Sequence, residues 1–436
     1  MRRLQALGLG LLFWAGCGEQ EQASLRCDVR EAACRKSIMA QVVELRGGKA
    51  VKMPEIQVLT QAELEERLRS EEEEEDASAE PSAEVELMYR GYALFGLLPD
   101  KYRPEDGRAE QAAQIAGAYF SESNEIVLVD RGEALDSESA ISTFAHELVH
   151  ALQDGSHDLM AFEERAAGSG DAWLAQRAVT EGEATLYQVL MLAKLAGRQP
   201  SDIDWGRFFS AWQDDELYNA ERDKAPLVMA SLRFPYAFGG GYVTRRWLDD
   251  GQEGIDRLYE EPPSSTHQVL FDDPRWDLAA EREALAARAV PELAGMPLGT
   301  RSLGAWHSAL FLAREARTPQ ALWYARDTLA DAFSIWHDES RDVVSASWRV
   351  RFPPDTSATN WLGVDDWYAG SLDADEAREA FLIASEEELP GEIESIAWRA
   401  AKDSIDGSAR APSMRACAIA HPDLIYIDSK ESSSTR

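Results

Sequence analysis

The sequence predicts an α+β protein: a larger, mainly helical domain with a small edge sheet, followed by a smaller α+β domain. Apolar residues recur at helical spacing in long segments, above all in residues 137–153 and 171–196. Two short β-rich runs, 114–120 and 125–130, are separated by a polar stretch, which is typical of a hairpin. Past about residue 285, shorter helical and strand-like segments follow one another, which predicts the second domain.

The N-terminus has the composition of an export signal. Arg2 and Arg3 supply positive charge, and an apolar stretch too short to span a bilayer follows them. The end of this stretch, residues 15–17, resembles a bacterial lipoprotein signal, in which Cys17 becomes the lipidated first residue of the mature chain. Trp14 departs from the Leu-like residue usual in that pattern, and an ordinary cleaved signal peptide is the alternative. The lipoprotein interpretation predicts an exported protein of the bacterial cell envelope, anchored to the membrane through a lipid on Cys17.

Composition then divides the chain. After a lipoprotein-type signal peptide at 1–17, residues 18–35 are predicted to be a tether, 36–285 the larger domain and 286–436 the C-terminal α+β domain. Within the larger domain, the acidic block 70–84 is predicted to be flexible, because like charges repel and few apolar residues are present to bury.

The remaining segments are assigned from periodicity and composition. Apolar runs at 38–45 and 51–60 predict a small, strand-containing lead-in. Helices are predicted at 61–69, 84–98, 303–316, 319–330 and 373–385, and strands at 333–337 and 343–352.

The charge balance argues against nucleic acid as a partner. The chain has 44 Lys and Arg residues against 78 Asp and Glu residues, a formal net charge of −34. Binding to phosphates needs a basic surface that releases counterions, so this chain is predicted to bind no nucleic acid.

Three cysteines remain when Cys17 is set aside. In an exported protein disulfides persist, and a Cys27–Cys34 bridge is the simplest choice. A bridge from Cys417 to either of the others is equally allowed, and the sequence does not choose between them. The three thiols lack the paired spacing of a structural zinc site.

The most informative motif is His146-Glu147-Leu148-Val149-His150, which lies within the predicted helix 137–153. A spacing of four puts both imidazoles on one face of the helix, where they can share a tetrahedral cation. Glu147 can then reach a metal-bound water, whose pKa zinc lowers to ~7, and can take its proton as the water attacks a carbonyl. The motif predicts one Zn²⁺ per chain, with His146 and His150 as ligands and Glu147 as the catalytic base.

A catalytic zinc ion takes a third protein ligand. The metzincin pattern would need a glycine and a histidine where this chain has Gln153 and Ser156. A following helix offers Glu181 and Glu183, which are about 200° apart around the helix and so cannot both bind one ion.

At this point the sequence resembles the gluzincins, zinc peptidases in which a glutamate in an N-E-G/A-type context follows the H-E-x-x-H motif. The resemblance implies a zincin-like catalytic domain, hydrolysis of a peptide or protein substrate, and Glu181 as the third zinc ligand. Thr185 stands where thermolysin-like enzymes have an aspartate behind a histidine ligand, so that support must come from another residue. Gly182 is predicted either to allow a close approach of the two metal-bearing helices or to be an incidental glycine that the helix tolerates.

A wider resemblance to a group of bacterial secreted metallopeptidases rests on short segments elsewhere in the chain. These segments are 46–48, 116–120, 150–154, 234–236, 239–243 and 262–266.

Several residues are weaker candidates for the site. Asp154 lies one turn after His150 and is predicted either to support a histidine or to cap the helix end. The candidates for the oxyanion donor that gluzincins take from a downstream histidine or tyrosine are His157, Tyr236, Tyr242 and His267, for each of which packing is the alternative. The strand at 118–120, if it lies at a sheet edge above the cleft, would bind an extended peptide by β-augmentation.

Two other functions compete with a zinc peptidase. One is a non-catalytic, zinc-containing lipoprotein that binds a partner, which a closed fourth ligand such as His157 or Glu183 would support. The other is a zinc amidase that acts on cell-wall material.

Overall fold

The computed structural model describes residues 27–75, 83–132, 135–166, 169–273, 295–313, 318–353, 378–386 and 424–428. The predicted signal peptide with Cys17, and Cys417, lie outside these ranges. Within them the protein is a mixed α+β structure, as predicted, and none of its helices combines the length and apolar character needed to cross a membrane.

The first described residues, which begin at Cys27, already belong to the folded protein. Cys27 and Cys34 form a disulfide, the simplest of the predicted pairings. Val29 and Cys34 are buried in the main hydrophobic core, so the end of the predicted tether belongs to the folded protein.

The first apolar run of the predicted strand-containing lead-in, residues 38–45, is helical and belongs to helix α1 (Ala32–Arg46). Ile38, Met39 and Val42 are buried together because they lie on one face of this helix. The second apolar run does contain a strand, β1 (Glu55–Thr60).

The first sheet consists of β1 and the two strands of the predicted hairpin. Strands β2 (Gly117–Phe120) and β3 (Glu125–Asp130) pair antiparallel, and β1 pairs parallel with β3, giving the order β1-β3-β2. Strand β2 is therefore an edge strand of this sheet.

Helix α2 (Gln61–Glu75) extends into the acidic block that was predicted to be flexible, because glutamate has a high helix propensity. Residues 76–82 of that block lie outside the described ranges. The helices between the block and β2 are α3 (Ala83–Leu94) and α4 (Pro104–Gln114).

Helix α5 (Glu138–His157) carries the H-E-x-x-H motif, as predicted. Ser137 caps its N-terminus by accepting a hydrogen bond from the Ala140 amide at 3.1 Å. The helix continues past residue 153, the predicted end, to His157, and Asp158, whose φ is 50°, is its C-cap. Asp158 also caps the next helix, α6 (Leu159–Glu164).

The second long helix, α7 (Gly170–Leu195), lies against α5 and against a broken helix. That broken helix consists of α9 (Pro226–Phe234), a π-helical segment (Pro235–Gly239) and α10 (Gly240–Asp250). The other helices of this part are α8 (Trp205–Ala220), α11 (Gln252–Glu260) and α12 (Thr266–Phe271).

The C-terminal part contains a second sheet of order β4-β5-β6-β7-β8, in which only β7 and β8 pair parallel. Its elements are β4 (Met296–Arg301), α13 (Gly304–Ala313), α14 (Thr318–Ala325), β5 (Ala330–Asp338), β6 (Val343–Phe352), β7 (Arg378–Ser385) and β8 (Leu424–Asp428).

The predicted helix at 373–385 is wrong over its described residues, which form β7. Strand β7 pairs along its whole length with β6, and this non-local pairing outweighs the local helical pattern. Similarly, the predicted helix 319–330 ends at Ala325, and Ala330 begins β5.

One hydrophobic core runs through both parts of the molecule. Phe95, after α3, packs edge-on against Phe311, Phe333 and Trp348 of the C-terminal part, with ring centroids 5.4 to 6.1 Å apart. The second sheet therefore stabilises the scaffold that carries α5 and α7.

Candidate metal centre

Helices α5 and α7 bring three potential ligands to one point. Nε2 of His146 lies 3.2 Å from Oε2 of Glu181, and Nε2 of His150 lies 3.4 Å from the same oxygen. One ligand atom from each of the three residues lies within 4.8 Å of the other two. All three side chains are buried, so this His-His-Glu cluster could hold a metal ion.

Polar atoms without hydrogen-bond partners gather at the same point. They are Nε2 of His150, Oε2 of Glu147 and the hydroxyl oxygen of Tyr236, all buried. Buried polar atoms are nearly always paired in folded proteins, and each such orphan needs an explanation. A cation held by the cluster would account for the orphaned nitrogen of His150.

Glu147 follows His146 on α5 and is 1% exposed. Burial raises the pKa of its carboxyl well above the usual value, and the nearby charge of Glu181 raises it further. Such a carboxyl is a stronger base than an exposed glutamate.

Strand β2 approaches Glu147 closely because residue 117 is glycine. A Cβ at Gly117 would lie 3.1 Å from Oε1 of Glu147 and 2.9 Å from Cγ2 of Thr143. A Cβ at this position would force Thr143 or Glu147, or the strand itself, to shift.

The pairing of β2 with β3 determines which main-chain groups face the free edge. The Val129 amide donates to the Ala116 carbonyl at 2.9 Å. In an antiparallel pair the hydrogen-bonded positions alternate, so Gly117 and Tyr119 direct their main-chain groups away from β3. The backbone of Tyr119 accordingly acts on the Glu147 carboxyl and lowers its pKa, although by less than burial raises it.

Arg177 holds the second oxygen of Glu181. Its Nη2 donates to Oε1 of Glu181 at 2.9 Å, one helical turn away on α7. Burial opposes ionisation of Glu181, but the interactions with His150, His146 and Arg177 outweigh it and hold the pKa well below its usual value. Glu181 is therefore a carboxylate, as a ligand must be.

The contact that orients His150 comes from Gln153. Nδ1 of His150 lies 2.8 Å from Oε1 of Gln153. Asp154, the predicted support, instead accepts hydrogen bonds from the Tyr119 hydroxyl at 3.0 Å and from the Leu159 amide at 3.2 Å. The three-residue spacing from His150 to Gln153 on one helix face was a signal that sequence reasoning could have used.

Of the predicted oxyanion donors, Tyr236 lies at the cluster. Its ring stacks on that of His146, with centroids 5.9 Å apart. Burial raises the pKa of its hydroxyl well above the usual value, and the charge of Glu181 adds to this effect, so the hydroxyl keeps its proton.

The other three candidates have partners elsewhere. His157 stacks on Tyr259, His267 donates from Nε2 to the Arg326 carbonyl, and Tyr242 lies under the guanidinium of Arg246.

The close approach predicted at Gly182 involves a different partner. A Cβ there would lie 2.5 Å from the carbonyl oxygen of Gly239, in the π-helical segment rather than in α5. The contact of two backbones fixes this segment, and with it Tyr236, against the ligand-bearing helix α7.

Glu183 lies outside the metal cluster, as the angular argument predicted. Its carboxylate pairs with the Arg46 guanidinium, Nε to Oε1 at 2.8 Å, and both side chains are buried. Within the described residues, the potential metal ligands that come together are the three of the cluster, and neither His157 nor Glu183 is a fourth.

Comparison of the chain with protein-family models, with curated proteins and with solved structures gives no significant match.

Proposed function

We propose that the protein is a zinc-dependent metallopeptidase of the gluzincin type, with His146, His150 and Glu181 as the zinc ligands. The observation that carries the proposal is the convergence of this cluster with Glu147 and Tyr236 at one buried point, reached by the edge strand β2. Two histidines and a glutamate are a ligand set that catalytic zinc sites use, and three protein ligands leave a position for water or substrate.

Zinc at this site would supply a Lewis acid, which polarises a carbonyl and makes water nucleophilic near neutral pH. Glu147 accepts the proton of the attacking water at Oε2, the oxygen that has no partner within the described structure. The same oxygen then delivers the proton to the leaving amine.

Tyr236 is the proposed donor to the developing oxyanion. Its hydroxyl is protonated and buried, and the charge of Glu181 acts on it, so it lies where it can donate to an oxyanion beside the metal cluster. Such an organised donor stabilises charge that appears only in the transition state.

An extended peptide is the substrate class that the edge strand supports. The main-chain groups of Gly117 and Tyr119 face away from β3, beside Glu147. The Tyr119 amide interacts with the Glu147 carboxyl, so a peptide would pair with the main-chain groups of Gly117 and with the Tyr119 carbonyl. Such a peptide would present a backbone carbonyl to the base.

The alternatives remain a non-catalytic zinc lipoprotein and an amidase of cell-wall material. A three-ligand cluster with a buried carboxyl of raised pKa favours an enzyme over a closed structural site. We propose, from the N-terminal sequence, that this enzyme is exported and anchored in the cell envelope through Cys17.

Hydrolysis of a mixed peptide library, followed by mass spectrometry, tests the proposal. The wild-type protein is expected to cleave peptides in the presence of zinc, and the Glu147→Gln variant, which keeps the shape of the side chain but cannot accept the proton, to lose about 10²–10⁴-fold in rate. Equal cleavage by both proteins would contradict the assigned base, and cleavage of a cell-wall amide but of no peptide would favour the amidase.

A further inference from the structure

The Gln153 amide has one orientation that satisfies its neighbours. One end of the amide lies 2.9 Å from the Thr180 carbonyl oxygen and 2.9 Å from Oε2 of Glu183. Both neighbours only accept hydrogen bonds, so this end must be the NH₂ group. The carbonyl oxygen Oε1 of Gln153 is therefore the end that faces His150.

The orientation of Gln153 determines where His150 carries its proton. Oε1 only accepts, so Nδ1 of His150, 2.8 Å away, must donate and carry the hydrogen. The lone pair of His150 is then on Nε2, the nitrogen that faces Glu181 and has no hydrogen-bond partner among the described residues. This tautomer is the one that can bind a metal at the cluster.

The polar groups that contact the Glu183 carboxylate donate hydrogen bonds to it. Arg46 Nε donates to Oε1 at 2.8 Å and Gln252 Nε2 donates to the same oxygen at 3.0 Å. Oε2 accepts from the Tyr259 hydroxyl at 2.7 Å and from Gln153 at 2.9 Å. The donors come from α1, α5 and α11, so the carboxylate is fixed from several sides at 0% exposure.

We infer that Glu183 is a positioning residue that acts through the Gln153 amide to hold His150 in its Nδ1–H tautomer, with Nε2 directed at the metal site. The inference rests on the proposed function for the identity of the metal as zinc. It assigns a role to a buried ion pair, Arg46 with Glu183, that lies outside the cluster itself. Partners behind metal-binding histidines are known to tune metal affinity about 10–100-fold.

The Glu183→Gln substitution separates this role from simple packing. A glutamine has one oxygen, and Arg46 has only N–H groups to offer, so that oxygen must face Arg46. The new NH₂ group then meets the NH₂ group of Gln153. Turning the Gln153 amide over relieves this clash at the cost of its hydrogen bond to the Thr180 carbonyl. It also places the NH₂ group of Gln153 against His150, which favours the tautomer with hydrogen on Nε2.

The Tyr259→Phe substitution is the matched control. It also removes one hydrogen bond from the Glu183 carboxylate, the 2.7 Å bond to Oε2, but leaves a carboxylate for the Gln153 NH₂ group to donate to. A purely structural role predicts similar effects of the two substitutions at the cluster, whereas the positioning role predicts an effect of Glu183→Gln alone.

Two measurements on the full-length chain test the inference. The first is ¹⁵N NMR of histidine-labelled, metal-free protein, which distinguishes Nδ1–H from Nε2–H; the His150 signal is the one lost in His150→Asn. We expect Nδ1–H in the wild type and in Tyr259→Phe, and a shift towards Nε2–H in Glu183→Gln. The second is zinc affinity by chelator competition, for which we expect a loss of about 10–100-fold in Glu183→Gln and none in Tyr259→Phe.

Wild-type protein with the proton on Nε2 of His150 would overturn the inference, even if Glu183→Gln failed to fold. A folded Glu183→Gln variant with unchanged tautomer and zinc affinity would also overturn it, while leaving the proposed peptidase intact. A wild-type protein that binds no zinc would instead contradict the proposed function, and the tautomer measurement in metal-free protein would still decide the positioning.

Discussion

Two buried glutamates of the site, Glu147 and Glu181, have pKa values that move in opposite directions. Burial and the neighbouring Glu181 raise the pKa of Glu147. Burial also disfavours the charged form of Glu181, but His150, His146 and Arg177 together reverse that effect. Environments that separate the pKa values of neighbouring carboxyls are how enzymes assign different roles to the same side chain. Here one carboxyl is suited to proton transfer and the other to metal binding.

The Tyr236→Phe substitution tests the proposed role of the Tyr236 hydroxyl as the oxyanion donor. Loss of one such donor is expected to lower kcat by about 10²–10³-fold with little change in KM, because the bond forms only in the transition state. Zinc content and thermal stability should stay near wild type, since the hydroxyl is not one of the potential metal ligands and phenylalanine fills the same space. Peptide cleavage kinetics and calorimetry measure these quantities, and an unchanged kcat would remove Tyr236 from the mechanism.

Single residues of the site were predictable to different extents. The sequence predicted His146, Glu147 and His150 because their spacing on one helix requires no knowledge of the fold. Gln153 and Arg177 were missed, although both lie one helical turn from a ligand. Their roles depend on rotamers and on partners from other elements, which the spacing alone does not determine.

The contact of α7 with the π-helical segment leads to a prediction at the scale of elements. Gly182→Ala would place a Cβ 2.5 Å from the Gly239 carbonyl oxygen and 2.9 Å from Cγ2 of Val243. The two backbones would have to separate, at a cost of about 1–3 kcal/mol, and Tyr236 would move with the segment. Chemical denaturation measures the loss of stability. The peptide assay measures the loss of cleavage that a displaced Tyr236 would cause.

Gly206→Ala is the control for this substitution. Gly206 is also helical, but a Cβ there would have no contact closer than 3.8 Å, to Oδ1 of Asp204. Higher helix propensity of alanine should leave the stability unchanged or raise it by up to ~1 kcal/mol. Equal destabilisation by both substitutions would show that the close approach at Gly182 has no special role.

His307 joins α13 to α9 and should make the stability depend on pH. Its Nδ1 donates to the Leu303 carbonyl at 2.6 Å, and its Nε2 lies 3.0 Å from Oγ of Ser231. Burial lowers the pKa of His307 below its ordinary 6.5. Below pH 6.5 the unfolded chain therefore binds a proton that the folded protein excludes, so the contribution of His307 is present above pH 6.5 and is lost as the pH falls towards the folded pKa.

The size of this effect is about 1.4 kcal/mol per pH unit for one excluded proton. His307→Gln should have a shallower dependence of unfolding free energy on pH than the wild type, both measured without metal. Parallel curves for the two proteins below pH 6.5 would show that His307 is not excluded from protonation.

Elements were predicted well where local patterns and tertiary structure agree. Helices α5 and α7 have long apolar periodicity and polar caps, and the structure confirms both within a few residues. Strand β7 and helix α1 were assigned wrongly because short apolar runs fit either periodicity, and their pairing or packing partners decide the outcome. The π-helical segment begins at Pro235 and ends at Gly239, residues that mark an irregular helix but do not specify its form.

At the scale of the whole molecule, the shared core predicts that both parts unfold together. Trp348 contacts Phe95 of the first part and Phe311 and Phe333 of the second, and it is fully buried. Trp348→Ala is expected to cost about 3–5 kcal/mol and to lower the temperature of one common transition. The control is Trp323→Ala, because Trp323 is 61% exposed and should contribute little.

Differential scanning calorimetry distinguishes a core shared by both parts from two domains that fold separately. Two transitions, of which Trp348→Ala shifts only one, would contradict a shared core and would support separately folding domains. The sequence predicted a second α+β region but not that the two regions share a core, because composition marks a change of pattern and does not report contacts across it.

The central claim is that α5 and α7 form a zinc site, and metal content measured by mass spectrometry after dialysis against zinc tests it most directly. Glu147 and Glu181 are both buried at this site, but only the second is assigned as a ligand. The wild type and Glu147→Gln are predicted to retain one zinc ion per chain, and Glu181→Gln to lose it. No zinc in the wild type, or equal zinc in a folded Glu181→Gln variant, would contradict the account.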